Sequence, residues 1–219
     1  MGVSHSRPAL EGMPNARREG RNAHQGGRNT MIVFDALPGR EALREADRPS
    51  APPIPEATDT HRRMGARLRL IHDAHRQELR DLRALLDRIE ADEASADAAP
   101  AVVGGMGMSR NLRLFGALCG RECQHLQFHH DIEEGHTFPT VEHRGDDGMR
   151  AVIRKLREEH EVVHTLIAAL AERSAALARD RSQLAAVREA LDRIEDVVRS
   201  HFGYEEDELE EALGVYGAL

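Results

Sequence analysis

L-A-A-V-R-E-A-L-D-R-I-E-D-V-V-R-S-H-F-G-Y-E-E-D-E-L, residues 184–209, is the stretch that decides the fold. Leu184, Val187, Leu191, Ile194, Val198, His201, Glu205 and Leu209 recur in steps of three and four. That is the period of one face of an α-helix, and the face is apolar enough to be buried. Near its end the stripe changes chemistry, with His201 and Glu205 standing where aliphatic residues would continue it. Positions i and i+4 lie one above the other on a helix, so both side chains can point at one spot. Imidazoles and carboxylates on a core face are costly to desolvate unless they are paired or hold a cation.

The same rhythm, with the same interruption, appears three more times. A first helix is predicted over about 58–93, with Leu68, His72, His75, Leu79, Leu82, Leu86 and Ile89 on its stripe. A second starts from a Ser109 N-cap and ends near Phe138-Pro139. It carries Leu112, Phe115, Cys119, Leu126, then His129 or His130, and Glu133. A third starts near Asp146–Asp147, with Val152, Leu156, His160, Val163, His164, Ile167 and Leu170. A break at 179–182 leads into the fourth. Short links between long helices imply antiparallel neighbours, and at ~1.5 Å per residue the four polar interruptions can share one layer. The expected fold is all-α, an up-down-up-down antiparallel four-helix bundle over residues 57–219. Residues 1–56 differ from the rest, being rich in Gly, Pro, Asn and Arg, with S-A-P-P-I-P at 50–55 as a stiff linker. They are expected to be a flexible, poorly ordered extension, or to lie over the domain.

Composition narrows the function classes. Of 219 residues, 3% are aromatic and 31% charged, which suits a soluble protein with an aliphatic core and solvated helix faces. A net charge of −8 argues against nucleic-acid binding. No apolar run approaches the ~20 residues of a membrane span, and the N-terminus lacks the apolar centre of a secretory signal. Cys119 and Cys123 lie four apart in a helical pattern, where an unstrained disulfide is hard to form. Two reduced thiols and a cytoplasmic location follow as the expectation.

Three of the four segments hold a ligand-type pair four residues apart: His129/Glu133, His160/His164 and His201/Glu205. Such pairs from facing helices build metal sites in bundle cores, and a dinuclear site is the expectation here. Imidazole with carboxylate suits iron, manganese or zinc, and the lack of cysteine in the set argues against structural zinc. Periodicity leaves two registers open on the second helix, His129/Glu133 and His130/Glu134. His75 shares the stripe of His72, and either role is open to it. Glu159 and Glu206 are read as surface charges, with orientation of neighbouring imidazoles as the alternative. His5, His24, His61, His125, His136 and His143 are read as solvated.

I-H-D at 71–73, F-H-H-D-I-E-E-G-H-T-F-P at 128–139, E-E-H-E-V-V-H at 158–164 and H-F-G-Y-E-E-D at 201–207 resemble the hemerythrin-like family, the HHE cation-binding domains. The resemblance spans about residues 60–215. It implies a four-helix bundle around a non-haem di-iron centre, two Fe ions joined by an oxo or hydroxo bridge. Carried over by motif, it implies His72, His129, Glu133, His160, His164, His201 and Glu205 as metal ligands. Oxygen-carrying members end in H-x-x-x-x-D where this chain has H-x-x-x-E, so simple reversible oxygen carriage does not transfer directly. Tyr204, beside the fourth-helix pair, is read as a packing residue, with a ligand or donor role as the alternative.

The expected function is a di-iron protein that binds O2, NO or peroxide, or handles iron and redox signals. An enzyme reducing or disproportionating peroxide, O2 or NO at the same centre is the second reading. No G-x-G-x-x-G pattern, phosphate loop or flavin signature points to an electron donor. A non-catalytic helical interaction module with incidental histidines is the third. The expected partner is a small molecule, with no nucleic acid and no membrane.

Overall fold

Leu43 is wholly buried, yet it lies ahead of the first long helix, in a segment wrapped onto the helices that follow. The computed structural model describes residues 36–94, 120–177 and 179–219. These are helical with short connections, and no strand occurs among the described residues. The helices are α1 (Asp59–Gly65), α2 (Arg67–Ala94), α3 (Gly120–Ile132), α4 (Phe138–Arg144), α5 (Asp147–Leu177) and α6 (Leu184–Tyr216). A π-helical turn, Glu133–Thr137, joins α3 to α4.

Local chemistry sets these boundaries. Thr58 caps α1 by accepting from the His61 backbone N–H, while the His61 ring accepts from the Thr58 N–H. The first predicted helix is thus two, divided at Ala66. Asp146 accepts from the Met149 N–H and starts α5 where the acidic pair predicted. A turn anchored by Asp180, which accepts from the Ser182 N–H, reverses the chain into α6. The second predicted helix does not stop at Phe138-Pro139. Pro139 sits in the first turn of α4, where the wide π turn before it removes the demand for the missing N–H. The part of that helix before Gly120, including Ser109, Leu112, Phe115 and Cys119, lies outside the described residues.

Side-chain pairs fix how the helices run. Along α2 and α6, His72 meets Glu206, Arg83 meets Asp192 and Glu195, and Asp87 and Glu90 meet Arg188. Along α5 and α6, Glu159 meets His201 and Arg173 meets Glu189. Gln127 faces His164 and Glu134 faces His160 across α3 and α5, while His72 and Glu78 face His129 and His125 across α2 and α3. In each pair one number rises as the other falls, so these neighbours are antiparallel.

Among the described residues, two largely aliphatic clusters form the core. One gathers Leu79, Leu82, Leu86, Val163, Leu166, Leu170, Leu191, Ile194 and Val198. The other gathers Leu68, Phe138, Val152, Leu156, Leu209 and Leu213. Each long helical segment passes from one cluster to the other, and the residues at the crossing are the histidines and glutamates. His72 lies between Leu68 and Leu79, His160 between Leu156 and Val163, and His201 and Glu205 between Val198 and Leu209.

Residues 36–57 lie over α5 and α6. Leu37 and Leu43 join the first cluster, the Ala51 and Ile54 N–H groups donate to Glu208 and Glu211, and Tyr204 donates to the Pro49 carbonyl at 2.7 Å. Helix α1 crosses the end of α6 at backbone contact. A Cβ at Gly65 would run into the Glu210 carbonyl, and one at Gly214 into that of His61. No described helix is long and apolar enough to cross a membrane.

Candidate metal centre

The crossing layer is almost sealed: His72, His201 and Glu205 are 0% exposed, His130 0%, His160 1% and Glu133 3%. Two groups of ligand-type atoms form within it. His72, His129, Glu133 and Glu205 make one, and His130, His160 and His201 the other. The carboxylates lie between the groups. Glu133 Oε1 is 3.3 Å from His129 Nε2, and its Oε2 is 3.6 Å from His160 Nε2. Glu205 Oε2 is 3.5 Å from His72 Nε2 and 3.7 Å from His201 Nε2.

The inward-facing atoms lack partners. His130 Nε2, His160 Nε2, His201 Nε2 and all four carboxylate oxygens of Glu133 and Glu205 are buried without a hydrogen bond. Buried polar atoms in native proteins are normally satisfied, and leaving one unmade costs on the order of 1–3 kcal/mol. Seven orphans aimed into one layer are explained together by cations that accept lone pairs from all of them. The His72 and His129 Nε2 atoms approach to 3.0 Å, a pairing in which only one of the two can donate.

The outward-facing nitrogens, by contrast, are held. His72 Nδ1 pairs with Glu206 at 2.9 Å, His160 Nδ1 with Glu134 at 2.9 Å, and His201 Nδ1 with Glu159 at 3.2 Å. His130 Nδ1 meets His164 Nε2 at 3.1 Å. An imidazole whose Nδ1–H donates to a carboxylate presents a basic, oriented Nε2, the usual arrangement for a metal-binding histidine. Arginines fix the carboxylates in turn. Arg69 and Arg76 hold Glu206, Arg157 holds Glu134, and Arg48 holds Glu159 through both oxygens at 2.8 and 2.9 Å.

Electrostatics without a cation favour neutrality. Burial pushes His72 down to about 2, and neighbouring histidines and arginines add to this. Burial also drives His129 and His130 well below the usual imidazole range. It takes His160 to about 4 against the opposing bond from Glu134. Burial raises Glu133, with help from the Glu205 charge, and it raises Glu205. At Glu134 and Glu159 burial also works upward, but bonds from His160 and Arg157, and from His201 and Arg48, outweigh it. Burial therefore favours the neutral forms of His72, His129, His130, His160, Glu133 and Glu205, while Glu134 and Glu159 beside them are held toward the ionised form.

Six of the seven sequence-predicted ligands meet here: His72, His129, Glu133, His160, His201 and Glu205. His164 does not join either group; it is half-buried behind His130, with Gln127 Nε2 at 3.3 Å from its Nε2. His130, left open by periodicity, is the residue brought in. Both registers of the second segment are in use, His129/Glu133 inside and Glu134 at the rim. Glu159 and Glu206 are buried partners of imidazoles rather than surface charges. The signal for Glu206 was the arginine one turn to either side of His72, Arg69 and Arg76, which reach it. His75 lies outside both groups, its ring stacked 5.0 Å from that of His129 and its Nδ1 on Glu78. Tyr204 points away to Pro49. Phe138 and Phe202 are fully buried against His160 and His72, while Phe128 faces outward.

A family model, the Hemerythrin HHE cation binding domain, matches residues 63–213. The chain belongs to this family. No match is found among curated proteins or among solved structures. Within this hemerythrin HHE chain, both groups of inward-facing atoms fall in the matched region, and residues 36–57 fall before it.

Proposed function

We propose that the protein is a hemerythrin-like di-iron protein: an up-down-up-down four-helix bundle that binds two irons in its polar layer and a small ligand, O2, NO or peroxide, beside them. The observation that carries this reading is the set of seven partnerless buried atoms, with each carboxylate lying between histidines of both groups. His72, His129, His130, His160 and His201 would donate from Nε2, and Glu133 and Glu205 would span the two ions. His164 then holds His130 rather than binding metal. Five imidazoles and two carboxylates suit iron and leave room for an exchangeable position. When bound, the pair of irons supplies two one-electron reductants side by side.

The chain's own residues prepare the site for that chemistry. Glu134, Glu159 and Glu206 hold the Nδ1 protons, so that each Nε2 stays free. Phe138, Phe202 and Val163 exclude water from the layer. The reducing cytoplasm, where ferrous iron is available, is the setting we assign.

Turnover rather than carriage is a second reading, favoured by a cleft of about 520 Å³ between α2 and α3. Leu68, Ile71, Phe128 and Ile132 line it, and His129 and Glu133 stand in its wall. It is larger than a diatomic ligand needs. Consumption of peroxide by the iron-loaded protein would favour this reading.

Anaerobic loading with ferrous iron, followed by O2, tests the proposal. Two irons per chain and new near-ultraviolet and visible absorption on admitting O2 are expected. Glu205→Ala lowers the iron stoichiometry; retention of two irons by this variant would reject the assignment.

A further inference from the structure

The segment 36–57 lies outside the region matched by the family, yet one of its side chains reaches the centre. Arg48 is 14% exposed and grips both oxygens of Glu159, itself 1% exposed. Glu159 in turn accepts from His201 Nδ1. The guanidinium also lies 4.6 Å over the ring of Tyr204, one turn from His201. Bidentate, stacked arginine is a rigid device, and a lysine does not reproduce it.

The surrounding strap is secured on both sides of Arg48. Ahead of it, Leu43 is fully buried in the larger aliphatic cluster, and Glu45 takes bonds from Arg40 and Ser200. After it, Tyr204 holds the Pro49 carbonyl, and Glu208 and Glu211 take the Ala51 and Ile54 N–H groups. Every one of these partners except Arg40 lies on α6 or in the core beside it. Such anchoring on both flanks fixes where Arg48 can stand.

We infer that residues 36–57 are a working part of the metal centre: the strap places Arg48 so that Glu159 orients His201 as a ligand. This rests on the metal-binding reading above. Arg48 is a positioning residue, two bonds removed from any cation. Coupling of this kind is reciprocal. If the docked strap favours metal binding at His201, bound metal favours the docked strap.

Titration of the full chain with ferrous iron against a chromophoric chelator, without oxygen, tests this. Arg48→Ala is expected to weaken one of the two sites by about tenfold, the lower end for removing a partner that orients a ligand. Arg48→Lys should fall between that and wild type. Arg44→Ala, on the same strap but paired with the exposed Glu158, should stay within about twofold. In a Glu159→Gln background, Arg48→Ala should add little, because the two act in series. Hydrogen exchange over residues 36–57 should slow on adding ferrous iron to wild type, and less so in Arg48→Ala. Wild-type affinity in Arg48→Ala, whatever its thermal stability, would overturn the inference and leave the strap a packing element. Absence of iron uptake by wild type would instead overturn the metal-binding reading beneath it.

Discussion

Two regions of this protein use the same helical stripes to opposite ends. In the larger aliphatic cluster, Leu86, Leu166, Leu170, Leu191 and Val187 are fully buried with no polar atom to satisfy. A few turns along the same four segments, the stripe positions become His72, His129, Glu133, His160, His201 and Glu205, all of them buried as well. The first region lowers the free energy of folding through every residue it buries. The second raises it, because the carboxylates of Glu133 and Glu205 and the inward-facing Nε2 atoms of His130, His160 and His201 lose water and gain no internal partner. Burial alone therefore does not distinguish a core from a site; what the buried atoms lack does.

The strongest expected break between the two regions is with pH in the metal-free protein. His72, His75, His129, His130 and His160 are held below the usual 6.5, foremost by burial, whereas Glu133 and Glu205 are held above 4.5 by the same cause. Below pH 6.5 the unfolded chain takes up protons that the folded imidazoles refuse, so stability falls as pH drops toward about 4, where His160 titrates. Above 4.5 the unfolded carboxyls release protons that the folded ones keep, so stability falls as pH rises. Five imidazoles outnumber two carboxyls, so the acid loss wins up to 6.5 and the maximum sits near there. Each net proton is worth about 1.4 kcal/mol per pH unit. Urea unfolding of chelated protein from pH 4.5 to 8 checks this, and a flat profile would sink it. Leu191→Ala in the aliphatic region has no such dependence. It should cost about 2–5 kcal/mol at every pH and leave iron uptake unchanged, as measured by unfolding and metal titration together.

How far the sequence showed this depends on which link is asked for. The stripes were legible because aliphatic residues at helical spacing have one economical place to go, and Leu68, Leu86, Val152, Leu170, Leu191 and Leu209 went there. The start of α5 was legible because Asp146 is a good cap. The polar layer was legible because four interruptions fell at matching heights. The exchange of His130 for His164 was not. Two adjacent histidines on α3 both turn inward, and the π turn that follows brings Glu133 and Phe138, five apart, to one buried face. An α-helical period of 3.6 would separate those two. Arg48 was beyond reach for another reason. It lies 111 residues from Glu159, in a stretch whose Gly and Pro content reads as linker, and no local rule pairs positions so far apart.

Restoring a cation should reverse the penalty in the polar layer and leave the aliphatic region untouched. A ligand that binds only the folded state at about 100 times its dissociation constant adds about 2.7 kcal/mol. Thermal unfolding of iron-loaded and chelated protein should therefore differ by roughly 5–11 °C for a chain of this size. The increment should persist in Leu191→Ala, because the substituted residue and the metal layer act independently. Equal midpoints with and without ferrous iron would mean that the orphaned atoms find their partners some other way.

The smallest expected effect is the most direct comparison, since it makes one region resemble the other. Glu205→Met replaces a fully buried carboxyl that has no hydrogen bond with an apolar chain of similar length. The neighbours already suit it: Phe202 and Leu209 flank the position on α6. Removing a buried, unsatisfied group should stabilise the metal-free protein by about 1–3 kcal/mol. The same change removes the carboxylate that lies between His72 and His201, so iron uptake should fall. A gain in stability paired with a loss of metal is the signature of a residue kept for binding at the expense of folding. If chemical denaturation instead shows that Glu205→Met destabilises the chelated protein, then Glu205 is a structural member of the core. The contrast between the two regions would then be one of residue type alone.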